Sequence, residues 1–263
     1  MNDHPIGIFD SGIGGTSIWK EIVGLLPYEH TIYLADSKNA PYGEKSSEEI
    51  LRLSIKNTEL LLEKKCKLIV VACNTATTNA IQHLRKTYCN IFFIGIEPAI
   101  KPAALHTKSK KVGILATKGT LSSSLFNSTS QLHANGIEVI ERQGKGLVEL
   151  IENGALENEG ARALLQEYLK PMLDGGIDYL VLGCTHYPYL IPLIREIIPG
   201  NITIIDSGEA VARQTKAILE KNDLLNENGI KGNHGFYSNL DTKVLKGILK
   251  DFKGKKQIRY LDF

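Results

Sequence analysis

The runs Leu68–Ala72 ("LIVVA") and Tyr179–Leu182 ("YLVL") are apolar at every position, and this limits the fold more than any other feature of the chain. A strand with one wet face alternates apolar and polar residues. A strand that is apolar throughout must be covered on both faces, as in parallel sheets flanked by helices. Further short strand-like runs lie at Ile6–Phe9, Thr31–Ala35, Ile91–Ile96, Val112–Ala116, Glu138–Glu141 and Thr203–Ile205. Amphipathic stretches separate them, notably Ser46–Lys64, Thr75–Tyr88, Leu121–Ala134, Ala161–Leu173 and Glu209–Lys221. This alternation predicts an α/β architecture with mostly parallel sheets and right-handed crossovers. The segment "EPAIKPAALHTKSKK" has the prolines and lysines of a connection, so two smaller sheets fit better than one of eight strands. The halves echo each other, because in each a strand ends on a small residue and then a cysteine, Cys73 or Cys184. Sheets of this type bind ligands beyond the carboxyl ends of their strands, which is where both thiols stand.

At 263 residues the chain can bury a sizeable core, and its 43% apolar and 23% charged residues are ordinary for a globular protein. The balance of 31 basic against 29 acidic residues gives no field that would gather nucleic acid or a membrane surface. The lysines at 108, 110 and 111 and at 253, 255 and 256 read as solvated surface. No basic segment followed by an apolar stretch opens the chain, and no apolar run approaches the roughly 18 residues of a membrane span. With four cysteines and no secretory signal, the expectation is reduced thiols in the cytoplasm.

The first strand-to-helix turn, "GIFDSGIGGTS", holds Gly12, Gly14 and Gly15, which suggests close backbone approach to a partner such as an anion at a helix N-terminus. A dinucleotide fingerprint needs a third glycine where Ser17 stands, so a nicotinamide site is not expected. Asp10 and Ser11 lie at the strand end, with a cap of the next turn as the alternative use of Asp10. In "NAPYGEKSSEE" a Pro-Tyr-Gly turn precedes a helix with Ser46 or Ser47 as its cap. "ACNTATT" sets Cys73 at a helix N-terminus, a position expected to lower a thiol's pKa, with Asn74 and Thr75 as neutral donors and acceptors. Cys66 and Cys89 read as ordinary packing residues. After Cys184 come Thr185 and His186, and an imidazole two residues from a thiol can tune it or move a proton itself. There is no CxxC pair and no HExxH, which argues against zinc, and no lysine in a comparable strand-end setting that would hold a pyridoxal cofactor.

The motifs "GIFDSGIGG", "APYG", "ACNTATT", "IGIEPA" and "LGCTHYP", in this order and over Ile6 to about Gly208, resemble the aspartate/glutamate racemase superfamily and, within it, the glutamate racemases. The resemblance implies two similar α/β domains facing each other across a cleft that holds the amino acid, with no cofactor. The implied domains are residues 1–97 completed by 208–263, and residues 98–207. It implies Cys73 and Cys184 as acid/base thiols on the two faces of the α-carbon, with Asp10, His186 and Glu152 assisting. Asp10, Ser11, Tyr42, Gly43, Asn74, Thr75, Thr185 and His186 would line the substrate site. A homodimer acting on glutamate and supplying D-glutamate for peptidoglycan is implied as well; aspartate or another amino acid is the alternative substrate. Three segments depart from the family pattern: Lys145-Gly146 ahead of "LV", the loop "DSKNAPYG" without the arginine some members carry, and the ending "FYSNLD". The chemistry agrees with the resemblance. Two bases on opposed walls can remove an α-proton and return one to the other face without turning the substrate over.

Overall fold

The computed structural model of the chain describes residues 2–133, 136–156 and 158–263. Among them run strands β1 (Ile6–Asp10), β2 (Thr31–Ala35), β3 (Leu68–Val71), β4 (Phe92–Gly95), β5 (Lys111–Ala116), β6 (Glu138–Gln143), β7 (Tyr179–Gly183), β8 (Thr203–Ile205), β9 (His234–Ser238) and β10 (Lys256–Tyr260). The helices are α1 (Thr16–Leu25), α2 (Ser47–Glu63), α3 (Asn74–Thr87), α4 (Ile100–His106), α5 (Lys118–Leu121), α6 (Ser124–His133), α7 (Leu147–Glu152), α8 (Glu159–Asp174), α9 (Ile191–Ile197), α10 (Gly208–Lys221) and α11 (Lys243–Ile248). Every strand pair is parallel. One sheet has the order β10-β9-β2-β1-β3-β4 and the other β6-β5-β7-β8. Two parallel sheets flanked by helices are the expected fold class.

Register decides where the chemistry falls. Phe9 pairs with Val71, so the chain leaves β1 and β3 side by side and delivers Asp10-Ser11 next to Ala72-Cys73. Ala116 pairs with Gly183, which sets Thr117 beside Cys184 in the second sheet. The largest core cluster among the described residues, including Trp19 and Phe236 of the first sheet's side and Leu115, Leu182 and Tyr187 of the second's, runs through both.

Several elements differ from the sequence expectations. β9 and β10 complete the first sheet but were not legible as apolar runs: β9 alternates buried and half-buried residues, and β10, "KQIRY", is a half-wet edge strand. The connection after Glu97 contains α4, whose Pro102 sits in the first turn, where no intrahelical N–H bond is lost. The stretch from Leu121 is two helices broken at Ser122-Ser123, with Thr117 capping α5 through the Thr120 amide; Ala134, expected as its end, lies outside the described residues. Ser46 caps α2 by accepting the Glu49 N–H. Among the described residues no helix is long and apolar enough to cross a membrane, and no cluster of His, Cys, Asp or Glu could hold a metal ion.

Candidate active site

The glycine loop between β1 and α1 wraps two of the chain's own carboxylates. Asp10 Oδ2 accepts the Gly15 N–H at 2.8 Å and the Gly12 N–H at 3.3 Å. Glu152, at the end of α7, reaches the same loop and accepts the Ile13 N–H at 2.6 Å and the Ser37 hydroxyl at 3.0 Å. The close partner expected from the glycines is therefore internal. A Cβ on Gly12 would stand 2.5 Å from Glu152 Cδ, and one on Gly14 would stand 2.5 Å from His186 Cγ. None of these loop glycines has a positive φ, so it is the missing Cβ that the site requires. The helix α7 itself starts at Gly146, φ 80°, in the left-handed region that suits glycine.

Cys73 is the N-cap of α3; its sulfur accepts the Ala76 N–H at 3.4 Å, and its thiol donates to Ser11 Oγ at 3.7 Å. From the other sheet, Cys184 lies 3.7 Å from His186 Nδ1, and the far nitrogen, Nε2, donates to Glu152 Oε1 at 2.6 Å. Cys184, His186, Glu152 and the α1 loop thus form one chain of contacts across the two sheets. Thr185 donates to Asp10 Oδ1 at 3.4 Å, a second link between them.

Ser11, Tyr42, Gly43, Cys73, Asn74, Thr75, Cys184, Thr185 and His186 border a single, nearly closed cavity of about 10 Å3. That is about the room of one water molecule, so the walls must part to admit even a small substrate. Larger hollows lie at the amino ends of β2 and β9 and beside α1, but neither holds a thiol. One expected lining residue stands elsewhere, and the acid expected to assist also stands back from the cavity. Asp10, wholly buried and engaged by the loop amides, sits behind the wall, so it does cap its turn; Glu152 sits behind His186. Tyr42 presents its ring, while its hydroxyl donates away from the cavity to Asp36. Asn74 is distinctive, because neither polar atom of its buried amide has a partner among the described residues. A buried amide left open at a cavity wall is a ready contact for a polar ligand.

Sequence reasoning missed Pro41, Thr117 and Val148 among the lining residues. Thr117 and Thr75 meet at 2.8 Å between hydroxyls, joining the two halves of the site, and Thr120 Oγ1 is 3.0 Å from Thr117 Oγ1. The signal available was the strand end "ILATKGT", which parallels those before Cys73 and Cys184.

The electrostatics correct one expectation. Burial, and then the charge of Asp10, push the Cys73 thiol far above its ordinary value, outweighing the Ala76 amide that was expected to lower it. Burial also raises Asp10, to about 6, although His186 and the Gly15 amide oppose the rise. For His186, burial alone would favour the neutral ring. The Cys184 sulfur and the Glu152 carboxylate together override it and hold the imidazole well above its ordinary value, as a cation.

Two buried thiols on different sheets, one beside a carboxylate and one beside an imidazolium, can exchange protons with a small molecule held between them. Known proteins resemble the chain in sequence and in fold. The profile of the family described as Asp/Glu/Hydantoin racemase matches residues 13–215. The glutamate racemase of Herpetosiphon aurantiacus is 47% identical over 232 residues, covering 88% of this chain and 91% of that protein. Among solved structures, a glutamate racemase isoform from Bacillus anthracis superposes with TM-score 0.87 at 29% identity, covering 100% of this chain and 99% of its own. The glutamate racemase of Escherichia coli, solved with L-glutamate and the activator UDP-MurNAc-ala, gives TM-score 0.85 at 33% identity over 98% of both chains. By profile, by sequence over most of its length and by fold, the chain belongs to the Asp/Glu/Hydantoin racemase family, among its glutamate racemases.

Proposed function

We propose that the chain interconverts L- and D-glutamate by moving a proton at the α-carbon between Cys73 and Cys184. The observation that carries this reading is the pair of buried thiols on separate sheets bordering one small cavity beside the open amide of Asn74. In one direction a thiolate removes the α-proton and becomes a thiol; the opposite thiol gives its proton to the carbanion and becomes the thiolate. His186, held cationic, stands against Cys184 and stabilises negative charge there. Cys73 starts as the protonated partner, since burial and Asp10 keep its thiol high. An α-ammonium group bound near Asp10 and Cys73 would offset that effect when roles reverse. Asn74, Ser11 and Thr185 offer polar contacts to the amino-acid head, and fixed dipoles around the cavity stabilise the carbanion-like state.

The same reading assigns no cofactor, a division into residues 1–97 with 208–263 and residues 98–207, a homodimer, a cytoplasmic location, and supply of D-glutamate to peptidoglycan. It is supported by the relatives' glutamate racemase names and by the Escherichia coli structure's bound L-glutamate. The test is racemisation of glutamate and aspartate in deuterated water by the wild type, Cys73→Ser and Cys184→Ser. Glutamate turnover with deuterium at the α-carbon of the new enantiomer, lost in both variants, is expected. Retention of the original proton, or near wild-type turnover in either variant, would overturn the two-thiol scheme; a preference for aspartate would overturn the substrate.

A further inference from the structure

We propose that Asn239, at the end of β9, is a positioning residue for the substrate wall, acting through Asp36 on Tyr42. The inference rests on the racemase reading above. Ala35 pairs with Ser238, so the chain leaves β2 and β9 in step and brings Asp36 and Asn239 side by side. The Asn239 N–H also reaches the Ala35 carbonyl at 3.4 Å. Asp36 is 2% exposed and, among the described residues, has no lysine, arginine or histidine paired with it. A buried carboxylate without a counter-ion must be met by neutral donors, and each of them is then fixed in place.

Three such donors are present. The Asn39 Nδ2 group donates to Asp36 Oδ1 at 2.7 Å and Asn239 Nδ2 to the same oxygen at 2.5 Å; the Tyr42 hydroxyl donates to Oδ2. Asn239 also ties the loop from its other side, since its Oδ1 accepts the Lys38 N–H at 2.9 Å, and its Nδ2 shares a contact with the Phe263 carbonyl at 3.1 Å. Asn57, fully buried on α2, donates to the Tyr42 oxygen at 3.1 Å. Burial and the neighbouring Asp36 charge keep the Tyr42 hydroxyl protonated, which is the state that can donate.

The consequence reaches the cavity through the backbone. Tyr42 and Gly43 form its wall, and Gly43 lies so close to Thr117 of the other sheet that a Cβ there would stand 2.9 Å from the Thr117 Cβ. The placement of residues 36–44 therefore sets how the two sides of the cavity meet. Asn239 holds that placement from a strand contributed by the far end of the chain, while touching neither thiol.

The experiment compares the wild type with Asn239→Ala, Asn239→Asp, Tyr42→Phe and the Asn239→Ala/Tyr42→Phe double variant, all as full chains. Racemisation kinetics and hydrogen exchange are read together. Asn239→Ala should raise KM for glutamate about tenfold, the factor one hydrogen bond to a charged group is worth, with kcat within about threefold of wild type. The double variant should be little worse than the poorer single variant, because both act on one chain of contacts. Amides of residues 36–44 should exchange faster in Asn239→Ala, while those of α3 stay unchanged. Asn239→Asp keeps the shape and sets a second carboxylate against Asp36, so it should loosen the same loop in a folded protein. Wild-type KM with wild-type exchange, or fully multiplicative effects in the double variant, would overturn the proposal. If the wild type does not racemise glutamate at all, the functional reading fails, and loop exchange in the two Asn239 variants still decides the positioning claim.

Discussion

Replacing Gly14 by alanine adds one methyl group where the structure has no room for it. The new Cβ would lie 2.5 Å from Cγ and 2.6 Å from Cε1 of His186, on a flat, rigid ring that is 1% exposed and held by Glu152 at 2.6 Å. The ring can give way only by leaving both Glu152 and Cys184. Overpacking costs about 1–3 kcal/mol, and the lost charge-assisted bond about 1.5–3 kcal/mol. The sum, roughly 2.5–6 kcal/mol, corresponds to a fall in Tm of about 5–25 °C for a chain of this size. Taking the imidazole from beside Cys184 removes a preorganised electrostatic partner, a loss worth about 100-fold or more in turnover, so glutamate racemisation should fall at least that far. Gly24→Ala is the matched control. A Cβ there meets nothing within 4 Å, and Gly24 lies inside α1, so the same change should stabilise the protein by about 0.4–1 kcal/mol and leave turnover alone. Thermal unfolding and initial racemisation rates measure both. A Gly14→Ala protein with wild-type Tm and kcat would refute the close-approach account of the glycine loop.

Two further outcomes are expected. Lys67 and Glu29 form an ion pair at 2.6 Å with both side chains 2% exposed, so Lys67→Met leaves a buried carboxylate without its counter-ion, met among the described residues only by the Asn226 N–H at 2.8 Å, and should cost about 3–5 kcal/mol in chemical denaturation; a loss below 1 kcal/mol would show that water reaches Glu29. Asp10 ionises near 3.8 when unfolded but near 6 in the fold, so between those values the folded state holds a proton the unfolded state has released. Its contribution to stability therefore declines as pH rises from about 4 to about 6, by about 3 kcal/mol. The Tm difference between wild type and Asp10→Asn should shift against the wild type across that window; a difference independent of pH would contradict the raised value.

What could be read in advance followed from how each element is buried. β1, β3, β5 and β7 are covered on both faces, and their continuous apolar runs announce it. β10 is an edge strand whose residues are half-buried or exposed, so "KQIRY" carries no such signature, and β9 is legible only once β2 is known to need a neighbour. Both cysteines could be found because each ends a buried strand ahead of polar residues. The state of Cys73 could not, because its helix amide is local whereas its burial and its proximity to Asp10 are products of packing. The glycine loop announced a close partner but not its identity, since Glu152 lies 139 residues from Ile13, whose amide it accepts. The open amide of Asn74 is equally a property of the assembled cavity, in which Thr75 finds Thr117 and Asn74 finds nothing.

The place of β9 beside β2 bears on how the chain is made. As it leaves the ribosome from the N-terminus, β1 to β4 emerge first and can pair, yet the outer edge of β2 stays open while all four strands of the second sheet are synthesised. An open parallel edge is a template for foreign strands. The nascent protein carries that hazard until residues 234–238 appear, and only then can Asn239 meet Asp36. The second sheet, built from one continuous stretch between residues 111 and 205, has no such wait. Aggregation during synthesis should therefore be governed by the first sheet's unfinished edge, and the last thirty residues act as its seal.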